Sequence, residues 1–183
     1  MVPSGPPGPR DSVKNDQEIP SGAKPTGTRA GRPRLGGHGA IARPAPSSPA
    51  IARKKVLFVC IGNSCRSQMA EAFGQAYGSD VMEVHSAGLS PAPGIAPLTK
   101  VALAEKNLGV GEQFPKGLAF VSGVRFDIVV NMTGAPLDMP PARILEWPVP
   151  DPIGQKPEVF RSVATQIEAL VMRLILELRS PSR

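Results

Sequence analysis

Two cysteines, two histidines, one tryptophan and one tyrosine in 183 residues leave little material for several kinds of protein. Cys60 and Cys65 lie five positions apart, too close to staple a secreted domain. Two histidines as distant as His38 and His85, with no spaced cysteine pairs, supply no tetrahedral metal set. No run approaches the roughly 18 uninterrupted apolar residues of a membrane-spanning helix. Residues 1–7 lack the apolar core of a secretory signal. A cytoplasmic protein without metal, cofactor or membrane partner is therefore expected. Aromatic residues are only 4% of the chain, and none falls in residues 1–53.

What those first 53 residues have instead is 10 Pro, 8 Gly, 7 Ala and 6 Arg, too little apolar surface to offset chain entropy. A disordered tail is expected over 1–53. It carries eight basic against three acidic residues, so +5 of the chain's +6 belongs to it and the basic pI says little about residues 54–183. Scattered arginines could neutralise phosphates, but they are dispersed and no aromatic is present to stack on bases, so no nucleic-acid partner is expected. The remaining 130 residues are the usual size of one domain with one core.

From residue 54 the pattern changes. Residues 55–59 form a short continuous apolar run, as a buried parallel strand requires. Met69, Ala72, Phe73, Ala76 and Tyr77 then recur at helical spacing, with Gly78 as the stop. A second strand reads over 81–85, with Ser86, Ala87 and Gly88 as a turn after it. Pro97 starts a helix carrying Leu98, Val101, Ala102 and Leu108 on one face, ending before Gly109. Strands follow at 126–130 and 143–147. Val159, Val163, Ile167, Leu170, Val171, Leu174, Ile175 and Leu178 trace a final amphipathic helix ending near Ser180. This alternation predicts an α/β domain, a three-layer doubly wound sheet of four parallel strands. In such sheets ligands sit outside the carboxyl ends of the strands at the switch in strand order, which directs attention to the loop after the first strand.

That loop reads Cys60, Ile61, Gly62, Asn63, Ser64, Cys65, Arg66, Ser67. A helix N-terminus offers unpaired N–H groups and partial positive charge to a tetrahedral anion. Gly62 lets the backbone curl so that successive N–H groups point inward. Arg66 supplies a planar fork for two anion oxygens. The same groups would stabilise a thiolate at Cys60 as a nucleophile near neutral pH. His85 could approach this loop, although a strand-end histidine satisfied by local hydrogen bonds is the simpler expectation.

The string from Val59 to Ser67 resembles the active-site loop of the low-molecular-weight protein tyrosine phosphatases and their relatives, the thiol-dependent arsenate reductases. The resemblance extends over residues 55–180, including Ser86, Ala87 and Gly88 and the Asp151-Pro152 pair, and does not cover the tail. It implies that Cys60 is the nucleophile and Arg66 the clamp on the transferred group. By the same resemblance, Ser67 hydrogen-bonds the thiolate, Asn63 holds the loop in its strained shape, and Asp151 protonates the leaving oxygen. Ile61, Gly62, Asn63, Ser64, Cys65 and Ser67 complete the oxyanion-binding loop. Cys65 matches a cysteine that can form a protective disulfide with the nucleophile, and a small buried residue is the equal alternative.

Phosphatase and arsenate reductase both begin with attack by Cys60. A phosphocysteine is released by water, whereas an arsenate adduct needs a second thiol to carry electrons away. The thioredoxin-coupled reductases place two more cysteines beyond the third strand, but residues 129–136 contain none, so the reductant would be an external small thiol, a thioredoxin-type protein, or Cys65. Family phosphatases wall the substrate ring with aromatics, but Ile153 and Gly154 follow the Asp-Pro pair and Ser90 to Pro93 add none. Residues 63–71 also look closer to the reductase branch. From sequence the first expectation is hydrolysis of phosphotyrosine, on a protein, or of another aryl phosphomonoester through a phosphocysteine. Arsenate reduction comes second and a non-catalytic oxyanion-binding protein third.

Overall fold

Strand β1 (Lys54–Cys60) has every side chain buried from Val56 onward, because it is central in the sheet and covered on both faces. The computed structural model describes residues 52–180 other than Pro141. The tail expected to be disordered thus lies, but for Ala52 and Arg53, outside the described residues. Helix α1 (Arg66–Gly78), strand β2 (Met82–Gly88), helix α2 (Pro97–Ala104), strands β3 (Ile128–Asn131) and β4 (Arg143–Glu146) and helix α3 (Pro157–Arg179) follow. All strand pairs are parallel and the order is β2-β1-β3-β4. The chain leaves β1 toward β2 on one side and later returns to β3 on the other, so the switch point is the carboxyl end of β1.

Period-two alternation along β1 sorts the core into two layers. Val56, Phe58 and Cys60 face a large cluster built by all three helices, with Met69 and Phe73 from α1, Leu103 from α2, and Val163, Ile167, Val171 and Ile175 from α3. Leu57 and Val59 face the opposite side, where Val121, Phe126 and Val129 meet them. That second layer is made by a 3-10 helix (Leu118–Val121) and its neighbouring segments. None of the described helices is long and apolar enough to cross a membrane.

Two local expectations are corrected. Ser86, Ala87 and Gly88 are not a turn but the end of β2, paired with Phe58, Val59 and Cys60. Small residues with weak strand preference are held there by pairing to a buried neighbour, a tertiary effect. Helix α2 stops at Ala104 rather than near Gly109, because Asn107 turns left-handed (φ 58°). There Leu108 N–H bonds the Leu103 carbonyl and Asn107 N–H bonds that of Ala104, a Schellman-type stop in which asparagine replaces glycine. Val101, expected on the inner face, is 46% exposed, and Leu103 is buried instead.

Gly88 sits where β2 passes the loop after β1. A Cβ at this position would lie 2.7 Å from the Ile61 carbonyl oxygen and 2.8 Å from the Asn63 nitrogen, both backbone atoms that cannot swing away. Gly88→Ala is therefore expected to cost about 1–3 kcal/mol of stability and to weaken phosphate binding by displacing the loop. Urea denaturation and phosphate titration check this; wild-type values in both would show that the close approach is not required.

Candidate active site

The loop from Cys60 to Arg66 is suspended by its carbonyl oxygens. Those of Cys60, Ile61 and Gly62 accept from the N–H groups of Leu89, Ser90 and Ala92 at 2.9–3.1 Å, and that of Ser64 accepts from Ala96 at 3.1 Å. The Asn63 carbonyl accepts from the Gln68 side chain at 3.0 Å. Five successive carbonyls are thus turned toward the β2–α2 connection and α1. None of the N–H groups from Ile61 to Cys65 has a protein acceptor among the described residues. Inward donors at the start of α1 make a cradle for an anion. Asn63 takes a left-handed φ of 45°, the bend that closes the cradle.

The expected site residues come together here. Cys60 and Ser67 are both buried, with Sγ and Oγ 2.9 Å apart. Asn63 Nδ2 donates to Ser67 Oγ and to Ser86 Oγ, each at 2.8 Å. Arg66, also buried, donates through Nη1 to the carbonyls of Met132 (2.7 Å) and Val149 (3.2 Å), anchoring its fork to the segments after β3 and β4. Its Nη2 lies 2.5 Å from Asp151 Oδ2. A carboxylate on the arginine fork occupies the position that an oxyanion's oxygens would take, so an incoming anion meets Asp151 at the site's mouth.

Cys65 is placed differently from Cys60. Both are free and buried, but the Cys65 sulfur lies 3.1 Å from the Thr99 hydroxyl. Burial pushes the Cys65 thiol pKa up, and the Thr99 and Ser64 hydroxyls pull against it. It therefore stays protonated at neutral pH. His85 lies within β2 rather than at its end, bonds Glu83 at 3.0 Å and packs edge-on against Phe126.

Beneath the loop lie groups that the sequence reading did not single out. Glu71 accepts from Ser86 Oγ at 2.5 Å, and Lys116 Nζ lies 3.5 Å from the same carboxylate oxygen. The Lys116 backbone N–H donates to Asn63 Oδ1 at 2.8 Å. Glu71 lies beside Ser67, Gln68, Gly74 and Gln75 at helical spacing, off the apolar stripe of α1, and Lys116 is a loop lysine, so neither carried a sequence signal. A cavity of about 640 Å³ opens beside Arg66, bordered by Asn131, Thr133, Glu146 and Trp147. A second, of about 580 Å³, lies on the opposite sheet face between the 3-10 helix and Met139 and shares no residue with the loop.

A thiol and an arginine at the two ends of an anion cradle, on the switch point of a four-stranded parallel sheet, define a class of oxyanion-handling enzymes. The chain belongs to the low molecular weight phosphotyrosine protein phosphatase family, whose model matches residues 55–182. It is 33% identical over 130 residues to the glutaredoxin arsenate reductase of Synechocystis sp., covering 68% of this chain and 98% of that protein. A solved arsenate reductase in the phosphate-binding state superposes with a TM-score of 0.63 at 33% identity, over 68% of this chain and 98% of the other. The low molecular weight protein tyrosine phosphatase of T. tengcongensis superposes with a TM-score of 0.57 at 26% identity, over 68% of this chain and 99% of the other.

Proposed function

We propose that this chain reduces arsenate through Cys60, with electrons from an external thiol. The observation that carries the reading is the bareness of the site's wall. The segment hydrogen-bonded along the loop contributes Ser90, Pro91 and Ala92, and the segment beyond Asp151 contributes Ile153 and Gly154. Neither segment offers a ring to an aryl ester. The N–H cradle and the Arg66 fork suit a small tetrahedral oxyanion with nothing attached. Relatives named arsenate reductases, matched over nearly their whole length, support the same reading and reverse the order expected from sequence.

Cys60 thiolate attacks arsenic, an S–As bond forms, and one arsenate oxygen leaves as water after protonation by Asp151. An external thiolate then bonds to the Cys60 sulfur. The S–As bond breaks and its electron pair stays on arsenic, which departs as arsenite. A second thiol opens the mixed disulfide and restores Cys60. One arsenate and two thiols give arsenite, one disulfide and water. The thiol is external because the only other cysteine in the chain is Cys65, protonated and covered by Thr99. Hydrolysis of a phosphocysteine is the second reading, favoured by the acid at the mouth of the site.

Side-by-side assays with arsenate plus glutathione, glutaredoxin or thioredoxin, and with p-nitrophenyl phosphate, decide between them. Thiol-dependent arsenite formation matched by equimolar disulfide is expected. Turnover of p-nitrophenyl phosphate without thiol-dependent arsenite would overturn the first reading. In Asp151→Asn, p-nitrophenyl phosphate turnover is expected to fall by roughly 10²–10⁴, the usual contribution of a positioned acid. Arsenite formation should fall at least as far, because hydroxide is a poorer leaving group than p-nitrophenolate and depends more on being protonated. A loss confined to p-nitrophenyl phosphate would contradict that assignment.

A further inference from the structure

Lys116 and Glu71 form an ion pair whose side chains are only 9% and 8% exposed. They lie 45 residues apart in sequence, directly beneath the loop. A buried pair of this kind gives little net stability, because desolvation of both charges offsets their attraction. The hydrogen-bond directions around it give it another role. Glu71 accepts the Ser86 proton, so Ser86 Oγ must accept from its other neighbours, and Asn63 Nδ2 donates to it. The second Nδ2 proton then goes to Ser67 Oγ, and the Ser67 hydroxyl is left to donate to the Cys60 sulfur. The other end of the Asn63 amide, Oδ1, is held by the Lys116 backbone N–H and by Gln68. The ammonium of the same lysine lies 3.4–3.5 Å from Glu71 Oε2, Ser86 Oγ and the Phe114 carbonyl, and 5.0 Å from the centre of the Phe114 ring. Those distances place a cation among several acceptors rather than fixed to one.

We propose that Lys116 and Glu71 are the positioning residues of the reactive loop. Glu71 sets the direction of the hydrogen bonds ending at Cys60, and Lys116 neutralises Glu71 so that no uncompensated carboxylate lies beneath the oxyanion cradle. The proposal rests on the Cys60 to Arg66 loop being the reacting site, and it holds whichever group is transferred. Without Lys116, the buried Glu71 carboxylate opposes both the thiolate and the bound anion.

The test reads inorganic phosphate binding directly, as the phosphate concentration that half-protects Cys60 from iodoacetamide, and needs no turnover. Failure of both the arsenate and the phosphate-ester assays would strike the proposed function alone. Lys116→Met is expected to raise the half-protecting concentration about 10-fold or more, and Lys116→Arg to stay within about threefold. The double variant Lys116→Met/Glu71→Gln, which removes both charges, should bind phosphate more tightly than Lys116→Met alone. A residue important only for packing would not produce that order, and thermal midpoints of each variant separate the two effects. The proposal is overturned if Lys116→Met binds phosphate as wild type does, or if the double variant binds no better than Lys116→Met. Should Lys116→Met fail to fold, Glu71→Gln at wild-type affinity and wild-type Cys60 alkylation rate would overturn it equally.

Discussion

Cys60→Ser is expected to lose all thiol-dependent arsenite formation and all p-nitrophenyl phosphate turnover, a fall on the order of 10⁴-fold or more, while still binding phosphate. A serine hydroxyl is a poor nucleophile without an adjacent base, and the described neighbours of the sulfur offer none: Ser67 Oγ, at 2.9 Å, is another hydroxyl. Serine also cannot form the mixed disulfide through which electrons reach arsenic. The cradle does not depend on the sulfur, since the loop carbonyls are held by residues 89–96 and by Gln68. Binding and chemistry should therefore separate. Phosphate titration by calorimetry beside both assays checks this, and residual turnover within about tenfold of wild type would show that Cys60 is not the nucleophile.

Arg66→Lys is expected to cost roughly 10²–10³ in kcat/KM with either substrate, although the charge is kept. The guanidinium does two things that an ammonium cannot do together. One nitrogen is anchored by the Met132 and Val149 carbonyls while the other is presented to the mouth of the site, where Asp151 now meets it. A lysine can satisfy the carbonyls or reach the anion, but its single nitrogen has no fork. Its loss also leaves two carbonyls, held by a guanidinium only 6% exposed, without their donor, so a smaller stability loss of about 1–3 kcal/mol is expected. Steady-state kinetics and thermal denaturation read the two effects. Arg66→Lys with wild-type kcat/KM would remove the bidentate role.

The layout of the loop was readable because it is local. Cys60 to Ser67 occupy consecutive positions between a strand and a helix, so residue type and spacing alone specified a thiol, curled N–H groups and an arginine within reach of one anion. Asp151 was legible only through resemblance. As an Asp-Pro pair it reads as a turn, and its meeting with Arg66 spans 85 residues. The order of the two activities changed for a related reason. The sequence lacks both wall aromatics and relay cysteines, two absences that point in different directions, and the order proposed above follows relatives matched over nearly their full length, which are named arsenate reductases.

The sequence by itself determined the strand-loop-helix unit and the four parallel strands, since hydrophobic periodicity and a helix start are properties of a few neighbouring residues. Only the tertiary structure decided that residues 86–88 extend β2, that Gly88 must lack a Cβ, and that Lys116 and Glu71 meet under Asn63. Strand pairing and buried charge are interactions between distant parts of the chain. Local preference carries no record of which partner the fold will bring within 3.5 Å.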